Sequence, residues 1–360
     1  MTNFFSLVWD VDPVAFSIGN FLSVHWSLVF SCVGLLLAFE VLLFQVKVLP
    51  ENLFSEVKKP FSGPFPFFVL VVLAVLFGAK AFSLLFGYGA DAAHLSASLS
   101  VSGGILFLIS TCLLLFNKRP RQQALALDAS MLAFLVFVFF YQTGNFFESN
   151  SWGKPTQSDK GVVFTYQPTA LLVGIFDKVE TANVNRVSSE ADNQDFPLTL
   201  DIGFIKEVNQ KSEVEDFINS DLKSSIDGFE LVNSHLAGRI NSESMVYEIL
   251  EDTDGKLHAK LMLEGVARHP ISLYLALLSI IVFLIITLLN KSGVIKCVGE
   301  KAAWVTISWF TLSIFVEYTF ANQFNWVILS EKTLSLLLVG VAIYYLLNAQ
   351  KIVALDRERI

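Results

Sequence analysis

The chain has 360 residues, of which 54% are hydrophobic and only 16% are charged, and its formal net charge is −8. A soluble protein of this length rarely carries so few charged residues, so the composition excludes an ordinary soluble globular protein. The first twenty residues include Asp10 and Asp12 and no basic residue. We therefore do not expect them to form a cleavable signal peptide.

Seven apolar segments are each predicted to form a membrane-spanning helix, and all but the short last segment reach the length of about 18 to 20 residues that crosses a bilayer core of about 30 Å. They are Val24–Phe44, Phe65–Phe86, Leu99–Phe116, Ala124–Phe146, Ser272–Leu289, Ala303–Phe320 and Leu334–Leu347.

The basic residues of the short loops orient these predicted spans. One set of span ends contains Lys47, Lys58, Lys59, Lys118, Arg119, Arg121, Lys291, Lys296, Lys301, Lys351, Arg357 and Arg359. The opposite short segments, 1–21, 88–98 and 321–333, contain only Lys332. Because cytoplasmic loops are enriched in Lys and Arg, the N-terminus is predicted outside and the C-terminus inside, with Lys332 as the exception.

The long polar segment Glu148–Arg268 falls on the outer side in this topology. It contains 21 acidic and 11 basic residues, so its balance of −10 exceeds the net charge of the whole chain. The sequence therefore predicts an all-α polytopic membrane protein of seven transmembrane helices, with a small α/β extracytoplasmic head domain inserted between helices 4 and 5. The predicted divisions are helices 1–4 in 1–147, the head in 148–268 with a core at about 196–265, and helices 5–7 in 269–360.

Local patterns predict the elements of the head. They indicate a strand at Leu198–Ile205, a helix at Glu213–Ile226, and a hairpin of Met245–Leu250 and Lys256–Leu263 around Asp252-Thr253-Asp254-Gly255. The polar stretch Val184–Gln194 is predicted to be a loose connection. We expect a compact head of ferredoxin-like size, and its lack of a basic patch argues against nucleic acid as a partner.

No metal site is predicted. Cys32 and Cys112 lie inside spans, Cys297 lies in a cytoplasmic loop, and the five histidines (25, 94, 235, 258 and 269) have no ligand spacing.

Four ionisable residues lie within predicted spans, where such residues are costly and are usually functional or internally paired. Glu40 and Asp128 lie near cytoplasmic ends, which favours side chains that extend to the membrane interface. Lys80 and Glu317 lie deeper. Two interpretations of these two residues stay open, an ion pair between them and a role in ligand binding.

Short motifs occur along the whole chain. The N-terminal half contains Asp12-Pro13-Val14-Ala15-Phe16-Ser17-Ile18-Gly19, Val24-His25-Trp26-Ser27, Gly78-Ala79-Lys80, Val101-Ser102-Gly103-Gly104, Gln142-Thr143-Gly144-Asn145-Phe146 and Trp152-Gly153-Lys154-Pro155-Thr156. The C-terminal half contains Arg268-His269-Pro270-Ile271-Ser272-Leu273-Tyr274 and Phe315-Val316-Glu317-Tyr318. In order and spacing they resemble the prolipoprotein diacylglyceryl transferase family, whose motifs include D-P-V-x-F-x-I-G, V-R-W-Y, G-A-R, F-H-G-G, R-I-G-N-F, R-H-P-S-Q-L-Y and F-V-E-F. The resemblance covers nearly the whole chain except about 165–266, where the head is longer than usual.

The resemblance implies transfer of a diacylglyceryl group from phosphatidylglycerol to the thiol of a lipoprotein signal peptide. That reaction needs a thiolate and cations that hold the departing glycerol phosphate. The family has a tyrosine, a histidine and three arginines where this chain has, in chain order, Ser27, Ser102, Gln142, Ser313 and Phe320. Ser272 and Leu275 likewise replace a glutamine and a glutamate that flank Tyr274.

These replacements predict a catalytically inactive or severely impaired member, because losing one preorganised charge partner costs roughly 3–4 kcal/mol of transition-state stabilisation. The residues expected to remain in a lipid-binding site are Lys80, Gly103, Gly104, Gln142, Asn145, Arg268, His269, Tyr274 and Glu317. No cofactor is expected other than a bound phospholipid such as phosphatidylglycerol. The chain would hold a phospholipid, a lipoprotein signal peptide, or a membrane or periplasmic protein at the acidic head. It would belong to an envelope complex in the bacterial inner membrane, with the head in the periplasm.

Two alternatives stay open. The first is an active transferase whose cations come from Lys80, Arg268 and His269, although the last two residues are also typical of interfacial anchoring beside Pro270 at the first turn of a helix. The second is a transporter, which the small number of charges in the spans and the lack of a visible internal repeat disfavour.

Overall fold

The described residues of the computed structural model form two compact units. The described residues are 7–9, 11–19, 22–48, 63–85, 101–117, 119–149, 152–156, 161–164, 172–174, 176–186, 197–223, 238–239, 246–252, 254–265, 267–320 and 326–357. One unit comprises Met1–Ser27 and Asn145–Ser272, and the other comprises Leu28–Gly144 and Leu273–Ile360.

Helices dominate the second unit. In chain order the α-helices of the described residues are α1 (Trp26–Val48), α2 (Pro64–Leu85), α3 (Val101–Leu115), α4 (Pro120–Phe147), α5 (Lys211–Asp216), α6 (Ile271–Lys291), α7 (Glu300–Phe320) and α8 (Trp326–Arg357). Every predicted span overlaps one of the long helices, and α5 belongs to the first unit.

Length and composition support a multi-pass membrane protein. Among the described residues, α1, α4, α6 and the Pro64–Phe82 part of α2 are long and apolar enough to cross a membrane. Helix α3 and the Lys332–Asn348 part of α8 are shorter apolar helices. Large apolar side chains such as Leu114 and Leu347 are exposed on this unit, as expected for a surface that contacts lipid.

The first unit contains three antiparallel or mixed sheets, so the chain is not all-α. Its strands are β1 (Leu7–Trp9), β2 (Val14–Ile18), β3 (Leu22–His25), β4 (Trp152–Pro155), β5 (Val162–Phe164), β6 (Val179–Arg186), β7 (Pro197–Phe204), β8 (Gly238–Arg239), β9 (Tyr247–Glu251), β10 (Leu257–Gly265) and β11 (Arg268–Pro270). The sheet orders are β1-β5-β11-β4, β2-β3 and β6-β7-β10-β8, with β9 also paired to β10. Strand β1 pairs in parallel with β5, which joins the N-terminal segment to the same sheet as β4 and β11.

The main hydrophobic core of this unit lies on one face of the five-stranded sheet of β6, β7, β8, β9 and β10. Its inner face presents Leu200 and Ile202 of β7 and Ala259 of β10 to α5 and the π-helical turn Phe217–Leu222 that continues it. The predicted strand at 198–205 is confirmed as β7. The predicted hairpin is confirmed as β9 and β10, with Gly255 at φ +75° in its turn.

Two predictions for the head differ from the structure. The helix predicted at 213–226 begins at Lys211 and its π-helical part ends at Leu222, while the residues after Lys223 lie outside the described part. The loose connection predicted from Val184 is wrong for residues 184–186, which end β6. Val184 faces the core while Asn183 and Asn185 face outward, so the polar residues form the solvent side of a strand.

Candidate functional site

In the first unit, Glu148 caps the N-terminus of α1. Its Oε1 accepts a hydrogen bond of 2.8 Å from the backbone N–H of Ser27 and lies 3.8 Å from Nδ1 of His25. The ring of Phe147, one residue before it, lies 5.2 Å from Trp9 and 5.5 Å from Trp26 between centroids. The first turn of α1 is therefore held by a carboxylate and an aromatic cluster just after the motif that runs from Gln142 to Phe146.

Arg268 and His269, which the sequence predicted as lipid-binding residues, lie on β11. Arg268 is only 2% exposed, and its backbone lies opposite Val162 and Pro155 on the two flanking strands. Its Nη1 donates a hydrogen bond of 3.4 Å to the backbone carbonyl of Gly153. Desolvation lowers the pKa of His269 below its usual 6.5, so the neutral imidazole is favoured at pH 7. The guanidinium is thus enclosed by strands, and the imidazole supplies little positive charge.

In the second unit, Ser102 stands where the resemblance places a histidine. It lies in the first turn of α3, is 1% exposed, and its Oγ lies 2.8 Å from Oγ of Ser335 on α8. The hydroxyl therefore forms a buried contact between two helices.

Glu317 has a partner that the sequence did not predict. Its carboxylate accepts a hydrogen bond from Nζ of Lys332 on α8, and both side chains are partly exposed. Lys332 was the exception to the predicted charge distribution of the loops, and this contact shows how its charge is compensated. Lys80 is half-buried on α2.

The positions where the family has arginines are occupied by packed side chains. The Ser313 hydroxyl donates to the carbonyl of Phe310 in its own helix at 3.1 Å. The ring of Phe320 contacts Tyr274 edge-on at 5.4 Å between centroids. Gln142 is buried, and Asn145 lies one turn further along α4 on the same side of that helix.

Gly103 and Gly104 allow close packing of α3 against α2. A Cβ at Gly103 would lie 2.5 Å from Cβ of Phe82 and 2.7 Å from the carbonyl oxygen of Gly78. A Cβ at Gly104 would lie 3.1 Å from Val75. Helices approach this closely only where side chains are absent.

The environment of Asp128 differs from the one that the sequence predicted. The sequence suggested a side chain that extends to the cytoplasmic interface, but Asp128 is 4% exposed. Its two carboxylate oxygens accept hydrogen bonds from the backbone N–H groups of Gly299 at 2.7 Å and Ala302 at 2.8 Å. The prediction was wrong because the first N–H groups of α7 need acceptors, and a carboxylate also matches the positive end of the helix dipole.

Within the second unit, contacts link Ser102 to Ser335 and Glu317 to Lys332, so α3, α7 and α8 share polar groups. Sequence reasoning missed Lys332, Ser335 and Glu148. The single basic residue of the outer segments could have indicated Lys332, because Glu317 in the neighbouring span requires a partner. Among the described residues no group of three His, Cys, Asp or Glu side chains could hold a metal ion.

Comparison with known families agrees with the motifs. The family model described as prolipoprotein diacylglyceryl transferase matches residues 13–348, which is nearly the whole chain. No individual curated protein matches the chain significantly.

Proposed function

The chain belongs to the prolipoprotein diacylglyceryl transferase family, and we propose that it is a lipid-binding member that does not carry out the transfer reaction. It is a diacylglyceryl-transferase-like membrane protein, and the proposal concerns what its altered site does. The proposal places it in the bacterial inner membrane with its head in the periplasm, as a subunit of an envelope complex that handles lipoproteins or exports proteins.

The contact between Ser102 and Ser335 carries this proposal. A serine hydroxyl is a poor general base, and this one is buried and already bonded to a second hydroxyl. Forming the thiolate of a signal peptide requires a group that accepts a proton near neutral pH. A serine at this position supports binding and packing in place of proton transfer.

The missing cations support the same conclusion. Ser313 donates to its own helix and Phe320 packs against Tyr274, so neither position offers charge to a departing phosphate. Preorganised charge supplies much of the transition-state stabilisation in such reactions, and each lost partner lowers the rate by about 10²- to 10³-fold. Arg268 and His269 do not replace them well, because the first is enclosed by strands and the second favours its neutral form.

Phospholipid, with phosphatidylglycerol as the family's own lipid, is the proposed ligand. A lipoprotein signal peptide is a second candidate for the same apolar helices, and the acidic head, with its balance of −10, is proposed to bind a membrane or periplasmic protein. Recovery of the chain alone after gentle solubilisation in mild detergent would argue against a stable protein partner.

A complementation assay tests the loss of activity. The chain is expressed in a strain depleted of its diacylglyceryl transferase, and lipid attachment to a reporter prolipoprotein is measured by a mobility shift and mass spectrometry. We expect modification at least about 10²-fold slower than with an intact family member at equal expression. The double variant Ser102→His, Gln142→Arg tests whether a histidine base and an arginine cation restore measurable lipid attachment to the reporter. Near-normal modification by the unaltered chain would overturn the proposal.

A further inference from the structure

We propose that Lys332 binds the phosphate of a phospholipid headgroup at a site between α7 and α8. The inference rests on the proposed lipid-binding function and adds the residue that selects an anionic headgroup. The polar residues there follow one face of α8, because Lys332 and Ser335 are three positions apart in the helix. Lys332 contacts Glu317 of α7, and Ser335 contacts Ser102 of α3.

The depth of the pair suits a headgroup. Glu317 lies three residues before the end of α7, and Lys332 lies six residues after the start of α8, about 9 Å along the helix axis. In the topology predicted from the loops, Glu317 lies in the outer half of its span, and Lys332 lies in the adjoining outer segment, two residues before the next span. Charged side chains near helix ends reach the interface, where lipid phosphates lie.

The surroundings of the pair make it accessible to lipid. The side chains of Lys332 and Glu317 are 15% and 28% exposed. On the same part of α7, Phe315 and Tyr318 are 63% and 74% exposed, as expected for residues that contact acyl chains and the interface. A lipid can therefore approach the ammonium group from the apolar surface.

The chemistry of the ammonium group determines the type of ligand. Lysine has three N–H donors, and among the described residues the acceptor shown for Lys332 is the carboxylate of Glu317. Phosphodiester oxygens are charged acceptors that would satisfy the remaining donors, and such bonds are stronger than bonds between neutral groups. A neutral apolar ligand would leave these donors unsatisfied in the membrane.

Three substitutions separate a headgroup site from a purely structural ion pair. The full chain is purified in neutral detergent, phosphatidylglycerol or phosphatidylcholine is added, and retained lipid and thermal unfolding are measured. For Lys332→Gln we expect apparent affinity for phosphatidylglycerol to fall by about tenfold, the effect of one lost hydrogen bond to a charged group. For Glu317→Gln we expect affinity to rise, because the cation loses its competing acceptor. Glu317 is thus assigned to positioning Lys332, whereas the sequence predicted that it binds the lipid itself. Lys332→Arg should retain binding.

The matched control is Lys47→Gln, an exposed lysine in the last turn of α1, which should leave affinity unchanged. Equal destabilisation by Lys332→Gln and Glu317→Gln, without change in lipid affinity, would overturn the site. If the unaltered chain retains phosphatidylglycerol in that result, the proposed lipid-binding function still stands. If the unaltered chain shows no preference for phosphatidylglycerol over phosphatidylcholine, the selection of an anionic headgroup fails. If the chain retains neither lipid, the proposed lipid-binding function fails as well.

Discussion

At the scale of single residues, carboxylates near both ends of α4 cap other helices. Glu148 lies just beyond the end of α4 and accepts a hydrogen bond from the backbone N–H of Ser27 in α1. Asp128 lies in the half of α4 that is predicted to be cytoplasmic, and it accepts hydrogen bonds from two backbone N–H groups at the start of α7. Helix N-termini leave N–H groups unsatisfied, and within a membrane water does not satisfy them. These two acids therefore stabilise the fold, which is a sufficient reason for charged residues at these places.

Replacing Asp128 by alanine should destabilise the protein strongly. Two backbone N–H groups in a buried environment would lose their acceptors, and the helix dipole would lose its matching charge, for a loss of roughly 2–4 kcal/mol. Asp128→Asn should cost less, because its carbonyl oxygen still accepts one bond. The measurement is thermal or denaturant unfolding in detergent.

Glu40 provides the matched control for that substitution. It is also a carboxylate inside a predicted span near the cytoplasmic side, but its side chain is exposed. Glu40→Ala should change stability by less than about 0.5 kcal/mol, as for most surface substitutions. Equal losses for the two alanine variants would show that burial and capping of Asp128 do not determine its effect.

At the scale of elements, glycine sets the distance between α2 and α3. In Gly103→Ala the new methyl carbon would lie 2.5 Å from Cβ of Phe82 and 2.7 Å from the carbonyl oxygen of Gly78, well inside van der Waals contact. We expect a loss of about 1–3 kcal/mol in the free energy of unfolding, the usual cost of overpacking. Gly340→Ala in α8 meets nothing within 4 Å and should stabilise by up to about 1 kcal/mol through helix propensity. The same sign of change in both variants would contradict this account.

The elements were predictable where their signals are local. The hairpin followed from a turn of Asp and Gly between alternating residues, and β7 followed from its alternation. Strand β6 was missed because its outward-facing Asn and Thr resemble a loop composition. The parallel pairing of β1 with β5 joins residues more than 150 positions apart, so no local pattern could indicate it.

The candidate site shows the same limit. The motifs located Ser102, Gln142 and Glu317 in the chain, because each stands in a stretch of recognisable spacing. They did not indicate the Ser335 or Lys332 contacts, which depend on how α8 packs beside α3 and α7. Side chains that meet across helices are determined by tertiary packing, and the sequence of one helix does not contain that information.

At the scale of the whole molecule, labelling of native Cys297 tests the predicted orientation of the chain in the membrane. It lies between α6 and α7, in a loop predicted to be cytoplasmic, and is partly exposed. A membrane-impermeant maleimide should therefore label it in inverted membrane vesicles and not in right-side-out vesicles. Burial raises the pKa of this thiol, and the nearby Glu300 raises it further, so the reactive thiolate is scarce at pH 7. Labelling should accelerate by about tenfold per pH unit until the raised pKa is reached.

The hairpin of the head supplies the opposite reporter for the same experiment. Asp254 lies exposed in the turn between β9 and β10, so Asp254→Cys in a Cys297→Ser background should be labelled only in right-side-out vesicles. The new thiol lacks the burial that slows Cys297, so it should react faster at pH 7. Of the two other native cysteines, Cys112 is buried and Cys32 lies on an apolar helix, where a water-soluble reagent reacts poorly. The predicted topology places one span, and therefore opposite sides of the membrane, between the head and the loop that contains Cys297. Labelling of both positions from the same side would contradict that topology.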